Sequence, residues 1–144
     1  MATFLFKTEP GEFSFARLLE GGRARWDGVS SPAANKHLRS IAEGDDILIF
    51  HTADERAIVG LARAVSGPYA DPARPEKTAA GEIKFVAVDV EAIVAAKTPV
   101  PLAQVKADER FAEFPLVTQG RLSVMPVPAA LDKVLRSWAG LPRG

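Results

Sequence analysis

The chain has no cysteine, which removes disulfides, thiolate metal sites and cysteine nucleophiles together. Histidine is scarce as well. His37 and His51 lack metal-ligand spacing, and no His-Glu-x-x-His helix occurs. Neither a metal nor a cofactor is expected, because Gly-x-x-x-x-Gly-Lys-Ser/Thr and Gly-x-Gly-x-x-Gly loops are also missing. No apolar run approaches the ~20 residues of a membrane span, and no signal-peptide pattern opens the sequence. A cytoplasmic location is therefore the expectation. Charge of one sign is not in excess: 18 Lys and Arg balance 18 Asp and Glu, which argues against an indiscriminate coat on nucleic acid.

What is present fits one soluble domain spanning 1–144. Hydrophobic residues make up 47% and charged ones 25%, near the averages for globular proteins. A chain of this length buries roughly 68–70% of its unfolded surface. The charge is unevenly spread. Arg17, Arg23, Arg25, Lys36 and Arg39 face only Glu20 and Asp27 in the first third, and Arg121, Lys133, Arg136 and Arg143 face Asp132 near the end. Such patches suit phosphates on an otherwise neutral protein. A solvated mixture of charges accounts for them equally well.

Patterning along the chain predicts a mixed α+β domain. Thr3 to Lys7 reads as a strand and Ser14 to Glu20 as a short helix stopped by Gly21-Gly22. Ser31-Pro32 supplies an N-cap and a proline at the first helical position, predicting a helix to about Ile41. Asp46 to Thr52 is a buried strand, and Ala57 to Ser66 returns as its hairpin partner, where Gly60 signals a bulge or a close approach by another backbone or a ligand. Gly67 to Glu82 reads as a surface loop and Ile83 to Val94 as a strand. Leu102 to Ala107 is a short helix. Leu122 to Val127 is a strand whose proline places it at an edge. Leu131, Val134, Leu135 and Trp138 mark a closing helix stopped by Gly140 and Pro142. Without regular βαβ alternation, a small curved sheet or barrel fits better than a doubly wound one.

Two clusters are candidates for function. Phe4-Leu5-Phe6-Lys7-Thr8-Glu9-Pro10 is an apolar strand that ends in polar groups and a proline, which holds Lys7, Thr8 and Glu9 at the lip of a core. Arg25-Trp26-Asp27-Gly28-Val29-Ser30-Ser31-Pro32 sets an indole among small hydroxyl residues. Trp26 admits two readings: part of the core, or a plate open to solvent on which a planar ring stacks. Glu9 either caps a turn, pairs with Lys7, or accepts from an amino group such as cytosine N4. His51 and Thr52, at a strand end, orient a ligand or serve the structure, and Arg121 anchors a phosphate or ties down a loop. Ser123, Ser30, His51 and Asp27 are residue types of hydrolases, but no Gly-x-Ser-x-Gly elbow assembles them.

In order and over nearly the whole chain, these motifs resemble the EVE domain family. The opening Phe4 to Pro10 is similar to the family's Trp-Leu-Phe-Lys-Thr-Glu-Pro. Trp26-Asp27-Gly28-Val29 resembles its second signature, and Gly44-Asp45 leading to Phe50-His51-Thr52 a strand ending in Tyr-His-Ser. Val59-Gly60, Val86 to Asp89 and Arg121 to Val127 complete the series. The segment Ser31 to Lys36 departs from the more frequent Asn-Tyr-Gln-Ala-Arg-Asn.

The resemblance implies a PUA-like mixed β-barrel with surrounding short helices. It also implies non-enzymatic binding of a modified base, in DNA or RNA, with a role in defence against foreign DNA. Modified cytosine and modified adenine are the expected ligands. On this analogy Trp26 walls the pocket, Lys7, Thr8 and Glu9 form its floor, Val29, Ser30 and Ser31 its rim, and His51 and Thr52 stand nearby. Arg23, Arg25, Lys36, Arg39 and Arg121 would hold the backbone. An adaptor module without base recognition and an enzyme acting on nucleotides are the other classes. Nothing in the sequence requires more than a monomer.

Overall fold

The computed structural model describes residues 1–142; Arg143, counted above among the C-terminal cations, lies outside the described residues. The elements run β1 (Thr3–Thr8), α1 (Phe15–Gly21), β2 (Arg23–Trp26), α2 (Pro32–Leu38), β3 (Asp46–His51), β4 (Ala57–Ala64), β5 (Tyr69–Ala70) and β6 (Val86–Pro101). Then come α3 (Leu102–Ala107), a 3-10 turn (Glu109–Phe111), α4 (Pro115–Thr118), β7 (Val124–Pro126) and α5 (Ala129–Ala139). One seven-stranded sheet has the order β2-β6-β4-β3-β1-β7, with β5 pairing β6. Only β1 and β3 pair in parallel.

This sheet is rolled. In a flat sheet, β1 and β2 would stand four strands and about 19 Å apart, at ~4.8 Å per step. Yet the Phe6 ring on β1 and the Trp26 ring on β2 have centroids 5.2 Å apart. Curvature comes partly from β-bulges, which bend a strand and raise its twist: the β3–β4 register shifts between Ile49 and Phe50, and the β4–β6 register between Ile58 and Gly60. Gly60 also leaves room for a helix, since a Cβ there would lie 2.4 Å from the Phe15 ring of α1. The bulge expected at Gly60 is present, whereas the close approach is made by a side chain rather than by another backbone or a ligand.

The local signals produce the helices where they were read. Ser14 and Ser31 cap α1 and α2 through the amides of Arg17 and Ala34, Pro32 opens α2, and Gly140 ends α5 at φ 67°. α2 is shorter than expected, stopping at Leu38 rather than Ile41. β6 is longer, passing through Pro99 to Pro101. Past Ala92 it no longer pairs with β2, so these prolines lie on a strand with one unpaired side, where a missing N–H is tolerated. β7 is an edge strand on β1, with Pro126 opposite Phe4.

Arg136 is not a surface cation. It is 2% exposed and donates to Asp132, Asp46, Thr3 Oγ1 and the Pro142 carbonyl at 2.8–3.0 Å, tying α5 to β1 and β3. A buried guanidinium is tolerated when its donors are met in this way.

Candidate functional site

β1 is a continuous apolar run because both its edges are paired and both its faces covered. At its end Pro10 stops the strand, and the chain turns through Gly11 to the capped helix α1. Opposite this exit, β2 ends at Trp26 and hands over to the 27–31 loop before α2. Between them lies an open cavity of about 420 Å³, lined by Lys7, Thr8, Glu9, Glu12, Phe13, Arg25, Trp26, Asp27, Gly28, Val29 and Ser123. Its size falls in the range of small-ligand sites, ~300–1,000 Å³.

Five expected pocket residues thus meet at one cavity: Lys7, Thr8, Glu9, Trp26 and Val29. Trp26, however, is not a plate open to solvent. It is 7% exposed, tilted on Phe6 and edge-on to Phe13 at 5.7 Å. The indole is a core wall that shows the cavity a small part of its surface. Phe13, half-buried, is the more accessible aromatic.

Glu9 is exposed and accepts from the Gly11 amide at 3.0 Å, so it caps its turn while lining the cavity. A Cβ on Gly11 would fall 2.9 Å from Glu9 Oε2, so a side chain there would push the exposed carboxylate aside. Lys7 Nζ donates to the Gly120 carbonyl at 3.0 Å, and burial lowers its pKa from the ordinary lysine value. Thr8 donates its hydroxyl to Phe13 O at 2.8 Å, which anchors the turn carrying Phe13.

The remaining pocket candidates stand elsewhere. His51 is buried and bonded at both nitrogens: Nε2 accepts from the Phe15 amide at 3.0 Å, and Nδ1 meets Glu55 Oε1 at 2.6 Å. An accepting Nε2 leaves the proton on Nδ1, so the ring serves to hold α1 against the barrel. Thr52 lines a neighbouring groove. Ser30 is exposed and accepts from Arg74. Ser31 is the cap of α2 and lines a shallow depression with Arg121.

Of the expected backbone cations, Arg23 meets Glu91, Arg25 meets Asp27 at 3.0 Å, and Arg39 meets Glu82 while donating to Ile83 O. Lys36 and Arg121 are exposed, without an ion pair among the described residues.

Sequence reasoning missed what holds the 27–31 loop. Arg74 donates to Ser30 Oγ and Val29 O and pairs with Asp71 at 3.1 Å, its guanidinium lying 4.2 Å from the Phe85 ring centroid. Asn35, 1% exposed, donates to Val29 O and Ser31 O and accepts from the Val86 amide. The Asp71 carboxyl is held below the ordinary aspartate range, first by the Ala73 amide, then by Arg74 and the Gly28 amide. Below Arg25, burial and the 2.5 Å bond to Asp89 push the Tyr69 phenol up to about 12. Asp71 and Arg74 sit in a stretch without periodicity, and only Asn35, inside an otherwise apolar helix face, offered a visible signal.

A rolled mixed sheet with short helices around it, and a pocket where β1 leaves the barrel, is the PUA-like class of fold. ASCH from Zymomonas mobilis shares that fold, with a TM-score of 0.56 at 15% identity over 97% of each chain. The EVE domain profile matches residues 2–137, and the chain belongs to the EVE domain family. A protein from Rhodopseudomonas palustris is 36% identical, with a TM-score of 0.87 over 100% of this chain and 97% of its own. Human THYN1, solved in complex with DNA containing 5-methylcytosine, is 25% identical, with a TM-score of 0.84 over 99% of this chain and 100% of its own. No curated protein matches the sequence.

Proposed function

We propose that this chain is a non-enzymatic reader of a modified base in nucleic acid, and that the cavity at the end of β1 receives the base. The observation that carries the reading is the meeting of Glu9 with Trp26 and Phe13 around one open cavity of about 420 Å³. The base leaves its stack and enters between the β1 exit and the 27–31 loop. Phe13 and the exposed part of Trp26 contact its ring, Glu9 accepts from an exocyclic amino group, and Lys7 or Ser123 donates to a ring acceptor. The THYN1 complex with DNA containing 5-methylcytosine supports a methylated cytosine as the first ligand to try.

The base is held with few groups, so affinity is modest. One base–aromatic contact contributes roughly 1–3 kcal/mol, and the partial exposure of Trp26 puts this site at the lower end. The test is a titration of short oligonucleotides bearing 5-methylcytosine, other modified cytosines, modified adenines and the plain bases, as DNA and as RNA. Tighter binding to at least one modified strand is expected, with the strand recovered unchanged. Equal affinity for every strand, or turnover of one, overturns the proposal.

A further inference from the structure

The cavity that would take the base is a poor place for a phosphate. Glu9, Glu12 and Asp27 line it against Lys7 and Arg25, and Arg25 already bonds Asp27. A nucleic acid cannot present a base without its phosphodiester, so the cations must stand outside. Of those nominated from the sequence, Arg23, Arg25 and Arg39 each hold a carboxylate, Arg121 lines a separate shallow depression, and Lys36 lines neither that depression nor the cavity.

Another set adjoins the cavity. A groove of about 280 Å³ shares Lys7 with it and adds Arg56, Lys106 and Thr52 above an apolar floor that includes Phe50 and Leu116. No carboxylate lines this groove. Lys7, Arg56 and Lys106 form no ion pair among the described residues. Asp54 and Glu55 line an adjoining depression that shares Arg56, Leu102 and Lys106, and Glu55 is engaged by His51.

The arrangement is built into the backbone. Arg56 adopts φ 40°, a left-handed conformation that a long side chain rarely takes. It is held there because the Leu102 amide donates to the Arg56 carbonyl at 2.8 Å, docking the β3–β4 loop on the first turn of α3. Lys106 follows Leu102 by four residues, on the same helix face. Lys7 is steadied by Gly120, whose residue also lines the groove. Strained backbone of this kind persists where the surroundings over-determine it and collects at functional positions.

We infer that this groove binds the phosphodiester flanking the base, with Lys7 shared between the two compartments. The ribose or deoxyribose lies on the apolar floor, and Arg56 and Lys106 neutralise the phosphate. The register of the strand rests on the base-reading proposal, whereas the charge of the groove does not.

The test pairs Arg56→Asn with Lys106→Gln in one variant. Asparagine accepts φ > 0 better than arginine does, so the substitution relieves the backbone and should leave Tm unchanged or raised. Binding of a short single strand with one 5-methylcytosine, and of its plain counterpart, is measured across salt concentrations. Each lost phosphate contact lowers the slope of log K against log salt by about 0.7 on a single strand. Arg56 and Lys106 share one phosphate, so the double variant is expected to lose ~0.7 in slope and ~5-fold in affinity at ~0.1 M salt, converging with wild type near ~1 M. The loss should be equal for both strands, leaving their ratio intact. A folded variant with wild-type slope and affinity overturns the groove. Failure of the base proposal shows differently, as a wild-type ratio of one between the strands with the slope change still present.

Discussion

Glu9 is the residue whose role in reading a base can be isolated most cleanly. Its carboxylate lines the cavity from an exposed turn, so removing it leaves no buried hole. What is lost locally is one bond from the Gly11 amide, worth about 0.5–1.5 kcal/mol at most and less at the surface. A charged acceptor meeting a ligand amino group is worth roughly 1.5–3 kcal/mol, or about 10- to 150-fold in affinity. Thymine and 5-methylcytosine share the methyl group and differ along one edge: a carbonyl and an N3 proton in thymine, an amino group and an N3 acceptor in 5-methylcytosine. Strands differing by that one base, titrated by fluorescence anisotropy, should bind wild type with a 10- to 150-fold preference for 5-methylcytosine. Glu9→Ala should remove the part of that preference that rests on the amino group, leaving the part that rests on the ring acceptor. Gly11→Ala provides an intermediate point: its Cβ would sit 2.9 Å from Oε2, and ordinary contact begins at 3.4 Å. The carboxylate must then move by about half an ångström, enough to stretch a normal hydrogen bond to its limit. An unchanged preference in folded Glu9→Ala would refute the assignment of Glu9 to the amino edge.

Trp26→Ala is expected to act first on stability. Loss of a buried indole costs about 3–5 kcal/mol, or roughly 6–20 °C in Tm for a chain of this size, readable by thermal unfolding; a shift under a few degrees would mean the ring is not a core wall. Acid should loosen the 27–31 loop through Asp71. Its pKa is depressed in the folded state, so its contribution is complete above the unfolded value near 3.9 and disappears as pH falls through the lower folded value. The Ala73 and Gly28 amide resonances should titrate there, and Asp71→Asn should remove that part of the acid sensitivity.

How much of this was legible depended on the range over which each feature is decided. Caps and stops are local, and Ser14, Ser31-Pro32 and Gly140 announced them. The polar exit of β1 was also local, which is why Lys7, Thr8 and Glu9 were placed at a pocket from their order alone. Trp26 was half legible. Its small, polar neighbours argued for exposure, but the rings that cover it, Phe6 and Phe13, arrive from β1 and the turn after it. His51 was correctly set at a strand end, but its partner, the Phe15 amide, is a tertiary contact. Pro99 and Pro101 spoke against strand, and the pairing of Val100 and Pro101 with Ile58 and Ala57 overrode them.

The two walls of the cavity are fixed by different means, and that difference bears on how specificity is set. The β1 wall inherits the rigidity of a paired central strand, so the positions of Lys7, Thr8 and Glu9 follow from the barrel itself. The opposite wall beyond Trp26 is a loop held by side chains: Asn35 from α2, and Asp71 with Arg74 from the stretch before β6. Ser30 and Gly28 on that loop are exposed and outside the sheet, although Gly28 sits at φ 78°, which strains any other residue, and Ser30 accepts from Arg74. The shape of the cavity mouth can therefore change while the barrel stands, provided the three braces remain. Breaking the Arg74 brace should widen the range of bases accepted, whereas loss of Asn35, buried and bonded to the Val86 amide, should lower the melting temperature as well.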